Sequence, residues 1–355
     1  MIILHATAGI HGYNGVIHAV TRLSLMQAEM GHTPILAARR GDKWSWPGVM
    51  YECGVRVYDS CISLQAAIVA ALHHADVVHA HVSKPPSESM LAAAQARRET
   101  LVATIHALPL KEGAGSLADR IYEKLVSILL ASPRVEAVAV PSPPLAGHPM
   151  LRHATGKLVV IPWGADGVPE ATGWKPPDER GRVRVAYIGR LSWEKGFHIF
   201  AAAASKALRV NERIEVHVYG DGPQRGLAER LESAWAGRVK LHGWVDHEHI
   251  ARALARGMVN VVVAPSLTET FSFTVAEAAW AGVPVVASRI PVHEWLLGED
   301  YPGLVEASVE SLSKTLAGIE EIITDLRREV LRVKAGLPTW EAAGRAYLRL
   351  YGVRG

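Results

Sequence analysis

VVVAPSLTETFSFTVAEAAWAGVPVVAS, residues 261–288, decides the fold. Residues 261–264 are small or β-branched and apolar, which reads as a strand buried on both faces, and Pro265 ends it because its nitrogen carries no hydrogen for a sheet ladder. After a loop, residues 274–280 read as a helix closed by Ala281-Gly282, and residues 283–287 as the next buried strand. This is a strand–helix–strand unit of a parallel sheet. Two carboxylates, Glu269 and Glu277, stand at its loop-to-helix joint with seven residues between them. Glu269 falls beyond the carboxyl end of the strand, where open α/β sheets bind ligands. Glu277 falls in the first helical turns, and the amides of a helix start suit an anion such as a diphosphate. Each acid also has a plainer role. Thr274-Val275-Ala276-Glu277 has the form of a capping box, which would use Glu277 to hold the helix start, and Glu269 could be a solvated loop charge.

Outward from this stretch, the chain repeats strand and helix in two halves rather than with a short solenoid period. Its 355 residues allow two domains, and 49% hydrophobic with 21% charged residues is a globular balance. A formal net charge of +3 without a nucleic-acid motif argues against a nucleic-acid partner. Cys53 and Cys61 are too few and too far apart for a zinc ribbon or a disulfide framework, which points to a reducing compartment. No apolar run reaches membrane-spanning length, and Met1-Ile2-Ile3-Leu4 enters a strand directly, so a cytoplasmic protein is expected.

In the first half, residues 2–6 read as a strand, 7–14 as a loop with Gly9 and Gly12, and 15–30 as a helix opened by Gly15. That spacing is not the G-x-G-x-x-G of a dinucleotide site. Trp44 and Trp46 in a polar loop could stack on a sugar or a lipid, or be buried. Residues 76–81 and 101–106 read as buried strands ending in histidine. A metal site from His79, His81 and His106 lacks a fourth ligand at useful spacing, so no metal is expected. Residues 117–131 form an amphipathic helix whose cations could rest on anionic lipid or form a solvated face. Residues 163–182, rich in Gly and Pro, read as a linker. Beyond it come a strand at 183–189, a turn with Arg190 and Lys195, and a strand with a glycine turn at Gly220 and Gly222. Arg190 and Lys195 could converge on one diphosphate. Asp246, His247, Glu248 and His249 have metal-ligand types, but Asp246 fits a helix cap.

Several of these motifs resemble those of retaining family 4 glycosyltransferases. The Glu-x7-Glu pair is that family's signature, with Thr270 and Ser272 here where the family has glycines. Gly189-Arg190-Leu191 through Lys195-Gly196 is similar to its G-R-L-x3-K-G, Gly220 through Pro223 to its G-x-G-P, Thr104-Ile105-His106 to its T-x-H, and Thr339-Trp340-Glu341 to its closing S-W-E. Gly12 and Gly15 resemble its glycine-rich loop. Trp163-Gly164-Ala165-Asp166 resembles its P-N-G-V-D, with Trp163 for Asn.

The resemblance implies an α/β GT-B architecture, two Rossmann-like doubly wound parallel-sheet domains facing a cleft. Residues 1–162 would be the acceptor side, 163–182 the linker, 183–337 the nucleotide-sugar domain, and 338–355 a helix returning to the first domain. The implied reaction moves a hexosyl group from a nucleotide diphosphate sugar (UDP-, GDP- or ADP-sugar) to a hydroxyl of a sugar, polysaccharide or lipid-linked acceptor. Retention, no cofactor and no metal are implied, with peripheral contact at the inner membrane face left open. By the same resemblance Arg190 and Lys195 take the diphosphate, Glu277 the ribose, Glu269 and His106 the donor sugar. Gly12, Gly15, Gly220, Gly222, Thr270, Phe271, Ser272, Phe273 and Thr274 complete the donor site. Two other classes stay open: a catalytically degenerate nucleotide-sugar-binding protein of this fold, and an NAD(P)-dependent oxidoreductase, for which neither half has the fingerprint and Arg39-Arg40 is a poor substitute.

Overall fold

The computed structural model describes residues 1–7, 15–39, 56–60, 75–83, 87–107, 117–177 and 181–353. Gly9, Gly12, Arg40, Trp44, Trp46, Cys53 and Cys61 lie outside the described residues. The chain divides into two compact units, Met1–Gly164 with Pro338–Gly355, and Ala165–Leu337.

The first unit is built on a parallel sheet of β1 (Ile2–Thr7), β2 (Thr33–Arg39), β3 (Arg56–Ser60), β4 (Val77–Val82), β5 (Thr100–Ile105), β6 (Val135–Val140) and β7 (Leu158–Val160). Their order is β3-β2-β1-β4-β5-β6-β7, so the winding reverses between β1 and β4. β4 runs one residue past His81 and β5 stops one residue short of His106, so neither strand ends on its histidine. Strand alternation sorts the two faces of this sheet. Leu4 and Ala6, Val78 and Ala80, and Ala103 and Ile105 join one apolar cluster with Val126, Leu130 and Val138. The residues between them, His5, His79, His81 and Thr104, therefore share the opposite face, with His5 in register with His79 and His81 with Thr104. Helix Gly15–Glu29 supplies the buried Gln27 of this unit. It packs on helix Trp340–Leu350 so closely that a Cβ on Gly344 would come within 2.7 Å of Met26 Cγ.

The second unit repeats the plan with β8 (Val183–Ile188), β9 (Ile214–Tyr219), β10 (Val239–Gly243), β11 (Val261–Ala264), β12 (Val285–Ser288) and β13 (Leu304–Val305). The order is β10-β9-β8-β11-β12-β13, all parallel, and the winding reverses between β8 and β11. Residues 165–177, from the Gly- and Pro-rich stretch, pack on this unit: Ala171 N donates to Ala281 O, Gly173 N to Ala255 O, and Trp174 Nε1 to Asn260 O. Among the described residues, no helix is long and apolar enough to cross a membrane.

Candidate active site

The loops that follow β8 and β11 meet at the reversal point of the second sheet, and glycines let them meet. Gly196 has φ +65° and a Cβ there would lie 1.9 Å from Pro265 O, so backbone of one loop rests on backbone of the other. Leu267 N donates to Glu194 O across the same joint at 2.9 Å. Gly220 has φ +147° and its absent Cβ would fall 1.9 Å from Gly189 O, while that of Gly222 would fall 2.7 Å from Leu191 O. Gly220 and Gly222 thus seat the loop after β9 against the loop after β8.

This joint places Lys195 beside Glu269. Lys195 Nζ donates to both carboxylate oxygens at 2.7 Å, and Ser266 Oγ donates to Glu269 Oε1 at 2.8 Å. Burial pushes the Glu269 carboxyl up, but the Lys195 charge and the bonds from Lys195 and Ser266 outweigh it and hold the group below the usual carboxylate range. Glu269 is therefore an ionised acid beside a cation, which excludes the reading of a solvated loop charge. Arg190 does not share this pair. Its Nη1 lies 3.9 Å from Glu194 Oε1, and its side chain is 64% exposed. Tyr187 Oη donates to Arg190 O at 2.8 Å and fixes the backbone there.

The expected capping box is corrected by the structure. Helix Phe273–Ala281 starts one residue earlier than the pattern predicts, with Ser272 as N-cap and no side-chain cap bond. Thr274 Oγ1 donates to Ile188 O at 3.1 Å, tying the helix start to the end of β8. Glu277 is buried and lies 2.8 Å, Oε1 to Nε2, from His247. His247 follows Asp246, whose Oδ1 caps its helix by accepting from His249 N, as the sequence suggests.

Ser272 stands in the left-handed region, φ 67° and ψ 68°, and among the described residues no other non-glycine has positive φ. This conformation costs an L-residue roughly 1–2 kcal/mol. A bond offsets it. His293 Nδ1 donates to Ser288 O at 2.8 Å, which leaves Nε2 to accept from Ser272 Oγ at 3.0 Å. Burial keeps His293 deprotonated by lowering its pKa, although Glu269 draws it back up. A serine thus holds a backbone shape usually reserved for glycine. Phe271 is buried against Phe273 and Trp295. Thr270 is partly buried on the same loop.

In the first unit, Gly15 opens helix Gly15–Glu29, and His106 follows β5. The His106 ring stacks on Trp163 with centroids 5.4 Å apart and planes 14° from parallel, and Trp163 stacks in turn on Tyr347. His106 Nε2 lies 2.9 Å from His81 Nδ1. Sequence reasoning missed His5, Ser266 and His293, and weighed His247 only as a metal-ligand type beside a helix cap. Strand alternation around His79 and His81 was the available signal for His5. Nothing local marks Ser266 or His293, whose partners depend on loop geometry.

Two parallel sheets with the same winding reversal, each ending in loops that carry polar side chains, define the nucleotide-binding class of α/β proteins. Residues 13–166 match the model described as Glycosyltransferase Family 4, and residues 182–325 the one described as Glycosyl transferases group 1. The chain belongs to the family 4 type of glycosyltransferases and has their GT-B fold. It is 30% identical to a phosphatidyl-myo-inositol mannosyltransferase of Mycolicibacterium smegmatis over 259 residues, 69% of this chain and 62% of that one. It is 28% identical to a glycogen synthase of Mycobacterium tuberculosis over 235 residues, 61% of this chain and 52% of that one. The chain thus spans between about half and two thirds of the length of these two relatives. Among solved structures, Anabaena HepE in complex with UDP and glucose aligns over 99% of both chains with TM-score 0.75 and 16% identity. A sucrose-phosphate synthase of Thermosynechococcus elongatus aligns over 99% of this chain and 98% of its own with TM-score 0.74 and 20% identity.

Proposed function

We propose that this protein transfers a hexosyl group from a nucleotide diphosphate sugar to an acceptor hydroxyl, with retention at the anomeric carbon and without a divalent metal. The observation that carries this reading is the Lys195–Glu269 pair at the sheet reversal, one step along the loop from the exposed Arg190. Departure of a nucleoside diphosphate leaves negative charge on the phosphate oxygens, and fixed cations beside that oxygen lower the barrier. Lys195 is the fixed cation, oriented by Glu269. Arg190, on an exposed side chain, swings to the outer phosphate, where its fork can bind two oxygens. The first amides of helix Phe273–Ala281 add partial positive charge to the same anion. Glu277 accepts from the ribose hydroxyls, and Glu269 contacts the sugar. UDP is the favoured nucleotide, because HepE binds UDP and glucose.

Incubation with a panel of UDP-, GDP- and ADP-sugars, read as nucleoside diphosphate release, tests the reading. One donor should be consumed, and Lys195→Ala and Arg190→Ala should each lower its turnover about a hundredfold, the scale of losing one preorganised charge. Donor binding without release from any sugar would instead establish a binding protein that has lost catalysis. In excess chelator the turnover should persist. Loss on chelation, restored by one added ion, would overturn metal independence.

A further inference from the structure

The loop that carries Glu269 is held at both ends from the neighbouring strand. β12 lies beside β11, with Ala287 in register with Ala264. At one end of the loop Ser288, the last residue of β12, donates its Oγ to Ser266 O. At the other end His293, on helix Pro291–Leu297, meets Ser272 at 3.0 Å from Nε2 to Oγ. His293 has no solvent exposure, and Ser266, Ser272 and Ser288 are buried with it. The proposed reaction makes no use of this imidazole.

The protons of the ring are fixed by what it touches. Ser288 O is a carbonyl and can only accept, so the Nδ1 that lies 2.8 Å from it carries the hydrogen. Burial lowers the pKa of the ring and keeps it neutral although Glu269 draws it up, so Nε2 is bare. A bare nitrogen can only accept, and Ser272 Oγ therefore donates to it. Ser272 is also the N-cap of helix Phe273–Ala281. An N-cap serine ordinarily stands in the extended region and turns its oxygen to the amides of the second and third helical residues, here Thr274 and Val275. Ser272 does neither: its φ is 67° and its side chain makes no cap bond. Its carbonyl still accepts from Ala276 N at 3.0 Å, so the helix starts in register without the side-chain cap. Two arrangements of one residue thus compete. In the extended one, Ser272 Oγ sits on the first amides and an anion must displace it. In the left-handed one, strained for an L-residue, an anion meets those amides without that rival.

We propose that His293 is a positioning residue for the diphosphate: acting through Ser272, it holds the serine left-handed and keeps its hydroxyl off the amides of Thr274 and Val275, which a bound diphosphate takes instead. This rests on the reading that the start of helix Phe273–Ala281 receives the donor's diphosphate. The same bond steadies the far end of the loop whose middle carries Glu269, itself held by Ser266 Oγ and Lys195 Nζ. A glycine in place of Ser272 would need no such partner, since it has no hydroxyl to compete and little strain at positive φ.

Calorimetric titration of the full-length protein with UDP, beside kcat for the donor that the sugar panel identifies and a thermal melt of each variant, tests this. His293→Leu should weaken UDP binding and lower kcat, each by about ten- to a hundredfold, at or below the loss of one whole oxyanion donor. Two conservative variants separate the two bonds of the ring. Glutamine places its amide near the site of Nε2 and can accept from Ser272, so His293→Gln should stay within about threefold of the wild type in both measurements. Asparagine reaches only the site of Nδ1, where it can donate to Ser288 O, so His293→Asn should fall as far as His293→Leu. A ring that merely supports helix Pro291–Leu297 would give the opposite order, and that order overturns the proposal. On the Ser272→Gly background, His293→Leu should change UDP affinity by less than about threefold against Ser272→Gly alone, because the strain and the competing hydroxyl are both gone. A full-sized loss on that background also overturns it. Failure of the underlying reading has a separate signature. A wild type that consumes no donor, yet binds UDP with glutamine tolerated and asparagine not, refutes the transfer reaction and leaves the positioning in place. A wild type that binds no UDP removes the anion, and the proposal with it.

Discussion

At the residue scale, Glu277 separates a ligand from a prop. Its carboxylate lies against His247, and Glu277→Gln can keep an oxygen on His247 Nε2. The melting temperature should therefore stay near that of the wild type. Donor affinity should fall by about 1.5 to 3 kcal/mol, because an amide accepts through one oxygen where a carboxylate accepts through two. Calorimetry beside a thermal melt gives both numbers, and unchanged affinity would remove Glu277 from the site. The sequence offered this residue either to a ligand or to a capping box with Thr274, and Thr274 is not the N-cap. The pattern Thr-x-x-Glu is satisfied on paper, but the N-cap is Ser272, in the left-handed region, two residues upstream of Thr274. A backbone angle that serine rarely adopts is not visible in a string of letters. Glu269 was readable as an acid at the ligand end of a strand, whereas its bond with Lys195 requires two loops, 74 residues apart, to be brought together.

At the scale of elements, the strands were legible because parallel strands are buried on both faces and read as runs of valine, isoleucine and alanine. The stretch 261–288 gave β11, its helix and β12 within a residue or two. The glycines after the strands were read as donor contacts. Gly220 has a packing role as well, since its absent Cβ lies against Gly189 O. Gly220→Ala should lower the stability of the protein by roughly 3 kcal/mol or more, because backbone must move to admit the methyl and φ +147° is strained for alanine. A urea melt measures this. If Gly220→Ala melts like the wild type but loses donor binding, the packing role is wrong and ligand contact alone explains the glycine. The histidine face of the first sheet was only half legible. His79 and His81 stand two apart, yet their partners, Tyr351 for His79 and His5 and His106 for His81, lie on other elements, and Tyr351 is 272 residues from His79.

At the scale of the whole molecule, the same histidines tie stability to acidity. In the folded chain His5, His79 and His81 are neutral with depressed pKa values, His5 to about 4, while in the unfolded chain each returns to about 6.5. Below about pH 6.5 the unfolded state takes up protons that the folded state refuses. Their contribution is therefore complete above that value and is lost as the pH falls toward the folded values. Each histidine removes about 1.4 kcal/mol per pH unit within this window. The urea midpoint should fall steeply between about pH 6.5 and pH 5, and His79→Gln should flatten the slope. A midpoint independent of pH over that range would mean that the imidazoles are charged in the fold.

The return of residues 338–355 to the first unit also sets an order of events during synthesis. Tyr347 and Tyr351 close hydrogen bonds to Thr104 and His79, and Trp340 lies at the floor of a ring stack with Trp163. The ribosome delivers the whole of Ala165–Leu337 before it delivers these side chains. The later-encoded unit can thus be finished on the nascent chain while the earlier-encoded one still waits, its histidine face open to water and to chaperones. A chain cut short at residue 337 would hold every residue of the second unit and lack the side chains that close the first, so the half left incomplete is the half that was made first.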